Sequence, residues 1–99
     1  MAIKILIKRH FKENTAQQAF TLLTNFRHDA MNQPGYISGE TWVNHYDSCQ
    51  ITVVSTSQTV EDWIQWEESD ERATLEAKLK DILRVPAQFE VYGVGGMAD

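Results

Sequence analysis

The sequence predicts a small α+β domain with the element order β-α-β-β-α-α-β and one antiparallel sheet. Three observations carry this. Apolar residues recur at every second position in four stretches, they recur at helical spacing in the stretches between, and capping or turn residues mark most of the changeovers. At 99 residues, 42% hydrophobic and 23% charged, the chain has room for one domain over residues 1–99 and for one core.

The first strand is read over residues 2–11, with Ile3, Ile5 and Ile7 on one face and Lys4, Leu6 and Lys8 on the other. Asn14 is expected to cap the first helix, with Gln17 in the capping-box position. Ala16, Ala19, Phe20, Leu23, Phe26 and Ala30 then follow at helical spacing to about Met31. Pro34 and Gly35 stop that helix and suit a type II turn, because Pro fixes φ at the first central position and Gly tolerates positive φ at the second. Tyr36 to His45 and Gln50 to Ser57 alternate again and read as an antiparallel hairpin.

Thr59 caps a second helix with Asp62 in the capping-box position, and Val60, Trp63, Ile64 and Glu67 are expected to share one side. Ser69 caps a third helix, where Asp70 and Glu71 complement the positive end of the helix dipole and Lys78, Lys80 and Arg84 gather toward the other end. Pro86 is expected to close it. Gln88 to Val94 forms the last strand, and residues 95–99 are expected to be a flexible tail.

This order is that of a split βαβ pair, the ferredoxin-like arrangement, with helices on one sheet face. The other face carries Leu6, Trp42 and Val54, so two sheets are expected to meet back to back in a homodimer that forms a dimeric α+β barrel.

Acids outnumber bases 14 to 9, for a net charge of -5, which argues against nucleic acid, whose affinity is largely counterion release by Lys and Arg. A lone cysteine, Cys49, cannot form an internal disulfide, and no apolar run approaches the roughly 18 to 20 residues of a membrane span. The expectation is a cytoplasmic protein with no membrane partner.

Three segments together carry a resemblance. They are Gln33-Pro34-Gly35-Tyr36-Ile37-Ser38-Gly39-Glu40-Thr41-Trp42, Thr52-Val53-Val54-Ser55, and the run from Val60 through Trp63, Trp66, Ser69 and Asp70 to Arg72. The chain resembles the antibiotic biosynthesis monooxygenase family, in which a Pro-Gly turn opens strand two and a helix, Trp and Ser-acid sequence follows strand three. The likeness runs from strand one to Phe89-Glu90-Val91-Tyr92.

The resemblance implies a dimeric α+β barrel and, among the family's activities, cofactor-independent oxygenation of phenols or quinols or heme degradation. Heme-degrading members use an Asn on strand one, a pocket Trp at the end of helix two and a His about a helix further on. Trp66 matches the Trp, whereas Lys8 or Arg9 and Glu76 stand at the other two places. No cofactor is therefore expected, heme being the one the family suggests.

The histidines His10, His28 and His45 are too scattered for a metal motif, so no metal is expected. His45 and Cys49 flank the hairpin turn, where an exposed His and a semi-buried Cys account for them. His10, at the end of strand one, is the candidate catalytic base toward a phenol, since imidazole titrates near neutrality; the alternative is an exposed strand-end side chain.

Trp42, Trp63, Trp66, Tyr36, Phe26 and Met31 are the candidate substrate-binding residues of an aromatic cleft, or else core. The acidic run Glu61, Asp62, Glu67, Glu68, Asp70 and Glu71 is explained by caps and a solvated face. The expected function is a cofactor-independent monooxygenase-like protein acting on a small aromatic substrate. The alternative is a non-catalytic dimeric module binding a small hydrophobic ligand or heme.

Overall fold

The computed structural model describes residues 1–95. Its elements are β1 (Ile3–His10), α1 (Ala16–Met31), β2 (Tyr36–Val43), β3 (Gln50–Ser57), α2 (Val60–Glu67), α3 (Asp70–Lys80) and β4 (Gln88–Gly93), in the order the sequence predicts. The four strands form one sheet in the order β2-β3-β1-β4 with every neighbouring pair antiparallel, the ferredoxin-like topology. Of the expected tail, residues 96–99 lie outside the described residues.

Local chemistry sets most boundaries. The Tyr36 N–H donates to the Gln33 carbonyl across Pro34-Gly35, and Gly35 has φ +80°, as a type II turn requires. A Cβ at Gly35 would also run into the Asp62 side chain, so this turn is packed directly against the start of α2. The Thr59 hydroxyl accepts from the Asp62 N–H at 3.1 Å and the Ser69 hydroxyl accepts from the Arg72 N–H at 3.2 Å, the two expected caps.

Three expectations change. Asn14 is not the cap of α1: it adopts a left-handed φ of 64°, a conformation Asn tolerates, and Thr15 is the N-cap residue, its hydroxyl donating instead to the Lys12 carbonyl. Helix α3 ends at Lys80, well before Pro86. The segment after it pairs with the end of β1, through a Phe11–Leu83 bridge and the bonds Lys12 N–H to Ile82 O and Arg84 N–H to His10 O, and Ile82 is buried. On α2 the inward pair is Trp63 and Trp66, while Val60 and Ile64 are exposed.

Strand alternation divides the sheet into two faces. Ile3, Ile5, Ile7 and Arg9 point toward the helices and are buried. Ile3, Ile5 and Ile7 pack with Trp63 and Trp66, while Phe11, Ala19, Leu23, Ile51, Leu79 and Ile82 form a second cluster. Phe26 and Val53 pack against both.

The opposite face is mixed rather than uniformly apolar. Leu6 sits across from Val54 on one side and Glu90 on the other, Lys8 is ion-paired with Glu90 at 3.0 Å, and Lys4 bonds Thr56 at 2.9 Å. Trp42, opposite Thr52, and Tyr92, opposite Lys4, are the large aromatic groups on this face, each about half exposed. Among the described residues no helix is long and apolar enough to cross a membrane.

Candidate functional site

A cleft opens between the helices and the sheet, floored by Ile7, Arg9 and Val53 and walled by α1, β2, α2 and the start of α3. Counting its mouth, it holds about 490 Å³ of empty space, but it is narrow, leaving a water-sized sphere only about 40 Å³ in which to move. Apolar atoms dominate its lining, and a few polar groups converge in it, the usual composition of a small-molecule site.

Of the residues singled out in the sequence, Phe26, Tyr36, Trp63 and Trp66 meet in this cleft. Trp63 and Trp66 arrive together because three residues on a helix is nearly one turn, so both rings drop onto the β1 isoleucines. Tyr36 reaches in along β2 because Gly39 has no side chain: a Cβ there would stand 2.6 Å from the Tyr36 hydroxyl. Trp42 lies on the other face of the sheet, and Met31, at the end of α1, is exposed.

His10 also lies outside the cleft. By alternation it shares the open face with Lys8, and its Nε2 is 3.5 Å from Asp47 in the β2–β3 turn. The sheet separates the imidazole from Trp63 and Trp66, so base and aromatic cleft do not meet within one chain.

What the sequence reading missed is a group of three charges, in which Arg9 and Arg72 line the cleft and Glu76, facing both, lies on a neighbouring hollow between α3 and the segment before β4. Arg9 and Arg72 are 4% and 5% exposed, and both face Glu76. The Arg9 guanidinium donates to Glu76 Oε1, whereas the Arg72 Nη2 is 3.6 Å from that oxygen, too far for a hydrogen bond. Arg9 Nε and Arg72 Nη2 have no partner although both are buried. Arg72 Nη1 has only a long contact, 3.5 Å, to the Glu67 carbonyl.

Aromatic faces hold the cations in place. The Arg9 guanidinium lies 5.3 Å from the Phe26 ring centre, and that of Arg72 lies 5.1 Å from Trp63 and 5.2 Å from Phe89. Such contacts replace part of the lost hydration of a guanidinium, which is more weakly hydrated than an ammonium. Burial nonetheless pushes the pKa of both arginines down, most of all through desolvation, with Glu76 acting in the opposite direction. Two cations therefore share one carboxylate, itself 28% exposed, in a largely apolar setting.

These donors do not suit heme. Glu76 occupies the place where the resemblance would call for an axial His, and it is a carboxylate engaged by buried guanidinium groups rather than a free imidazole. Among the described residues no three His, Cys, Asp or Glu side chains are grouped so as to hold a metal ion.

Fold and cleft together define a ferredoxin-like α+β domain with a cationic, aromatic-lined cleft between its helices and its sheet. No family model matches the chain, and no curated protein matches it. Solved structures do. A conserved protein from Methanosarcina mazei Go1 is 16% identical, with a TM-score of 0.87 over 93% of this chain and 91% of its own. An antibiotic biosynthesis monooxygenase is 8% identical, with a TM-score of 0.86 over 95% and 99%. SnoaB from Streptomyces nogalater, a cofactor-independent oxygenase, is 4% identical, with a TM-score of 0.86 over 97% and 95%. The fold is thus the one found in antibiotic biosynthesis monooxygenase-like proteins, the group the sequence resembles, and at these identities the likeness is one of fold.

Proposed function

We propose that this chain is a cofactor-independent monooxygenase-like protein whose cleft holds a small aromatic substrate of the phenol or quinol type. The observation that carries the reading is the convergence of Phe26, Tyr36, Trp63 and Trp66 with two buried guanidinium groups in one cleft. Oxygenases of the same fold, SnoaB among them, support it.

The chemistry asks for an electron-rich anion kept away from water. Aromatic walls supply the dry, flat slot. A nearby cation favours the charged form of an acid, so Arg9 and Arg72 lower the pKa of a bound phenol, whose proton passes to solvent water at the mouth of the cleft, and they hold the resulting phenolate, which is the form that donates electrons to oxygen. The narrowness of the cleft means that a ring enters by displacing side chains at its edge, where Tyr36 and Arg27 are only half-buried and Arg27 is held by a 2.8 Å bond to Thr41. His10 has no part in this step from within one chain.

The same reading includes a homodimer. A second copy on the open sheet face would cover Trp42, Tyr92 and Leu6 and would enclose His10 between the sheets. Sedimentation at micromolar concentration is expected to give twice the chain mass, and Trp42→Ala is expected to raise the dissociation constant at least tenfold. A monomeric wild type would remove the dimer from the proposal.

Activity is tested with an oxygen electrode and a panel of quinols and anthrones. Wild-type protein is expected to consume oxygen above background, Trp66→Leu to lose at least tenfold of that rate, and His10→Ala to keep it within about twofold. No uptake with any member of the panel would leave the second reading, ligand binding without oxidation, which the same convergence of aromatic and cationic groups supports.

A further inference from the structure

We infer that the cleft is a receptor for an aromatic monocarboxylate, with the Arg9–Glu76–Arg72 group as the seat of the carboxylate. The inference rests on the cleft being the substrate site and narrows the substrate to a compound that carries its own negative charge.

The first ground is charge. Arg9, Arg72 and Glu76 sum to one surplus positive charge where water is largely excluded, and a cation without a counter-ion is costly in such a place. Among the described residues, Glu67 acts on Arg72 at longer range, Arg27 is a further cation on the cleft wall, and Lys80 and Arg84 lie on the outer side of Glu76, so the surroundings add cations as well as one anion. A monoanion would bring the triad to neutrality.

The chain as a whole has a net charge of -5, so no general field draws anions to it, and the attraction is confined to this cluster. The second ground is geometry. Arg9 Nε and Arg72 Nη2 are buried donors without acceptors, and both residues line the cleft. Phe26 beside Arg9, and Trp63 and Phe89 beside Arg72, flank the two cations with aromatic rings that offer no hydrogen-bond acceptor of their own.

Planar guanidinium edges match a carboxylate, which offers two oxygens and several lone pairs, better than a phenol, which offers one. A carboxylic acid is also fully ionised at neutral pH, whereas an ordinary phenol, with a pKa of about 10, is not. The ring attached to the carboxylate then lies along Trp66 and Tyr36, and a phenolic group ortho to the carboxylate stays within reach of the same two guanidinium groups.

The test compares 2-naphthoate with 2-naphthamide, which have nearly the same shape and differ in charge, by calorimetric titration of the intact wild-type chain. The carboxylate is expected to bind at least tenfold more tightly. Arg72→Met leaves the Arg9–Glu76 pair in place and fills the slot between Trp63 and Phe89, and is expected to bring the two ligands within twofold of one another. Lys8→Gln, on the opposite face, is expected to keep the preference.

Should Arg72→Met fail to fold, Arg72→Lys keeps the charge and is expected to retain a preference of several-fold. Equal affinity for the two ligands in the wild type, no binding of either at millimolar concentration, or a preference that survives Arg72→Met would each overturn the inference. Because binding is read without oxygen, its failure is distinct from a failure to oxidise quinols: selective binding without oxygen uptake removes only the monooxygenase reading, and uptake without selectivity removes only this one.

Discussion

Glu76→Gln is expected to lower the stability of the folded chain by about 3 kcal/mol, the lower end of the range for removing one partner of a buried ion pair, because Glu76 keeps some contact with water. The substitution preserves shape and one acceptor oxygen but exchanges the other for an NH2 donor and leaves two buried guanidinium groups facing one another with no anion between them. Urea denaturation measures it: the midpoint should fall with the slope unchanged, since the folded and unfolded surfaces stay the same.

The companion variant decides what the charges are for. A chain with Arg9→Met, Glu76→Leu and Arg72→Met together is expected to regain most of the lost stability, because exchanging a whole buried charged group for apolar residues of similar volume is often neutral or favourable. It is also expected to show no preference for naphthoate over naphthamide. Stability kept and selectivity lost would mean that the triad is held for recognition. A triple variant less stable than Glu76→Gln alone would mean instead that the three charges are a structural tie between β1 and α3.

How much of this was legible in the sequence depended on the range of the interaction concerned. The caps at Thr59 and Ser69 and the Pro34-Gly35 turn are contacts within three or four residues, and each appears where the local pattern puts it. Local signals failed where a distant partner intervened. Ile82 and Leu83 carry a helix-compatible sequence up to Pro86, but pairing with Phe11 and Lys12 draws them out of α3. Asn14 offers two local options, a cap or a left-handed turn, and the way β1 hands over to α1 selects the second.

The cationic site was half legible. The alternation that sets Ile3, Ile5 and Ile7 inward also sets Arg9 inward, and Arg72, Leu75 and Leu79 lie on the buried stripe of α3. Charged residues at strand ends and in first helical turns are ordinarily exposed, so neither position stands out by residue type. Their common partner is the missing signal: Glu76 lies 67 residues from Arg9 in the chain. The same alternation settles His10 on the open face once the helices are known to cover the odd-numbered side of β1.

Trp63→Ala is expected to cost about 4 kcal/mol, the scale for truncating a buried large aromatic side chain. The ring is 4% exposed and packs with Ile3, Ile5, Ile7 and Trp66, and none of these can move far enough to close the gap without leaving the sheet or its helix. Part of the loss has a separate origin, since the same ring faces the Arg72 guanidinium at 5.1 Å. A double-mutant cycle between Trp63→Ala and Arg72→Met isolates that part, and a coupling of about 1 to 2 kcal/mol is expected for a cation–π contact shielded from water. Coupling of that size would establish that Trp63 keeps a cation in the cleft as well as filling the core. A cycle that closes to zero, with both single variants destabilised, would reduce the stack to proximity and assign the whole effect of Trp63 to packing.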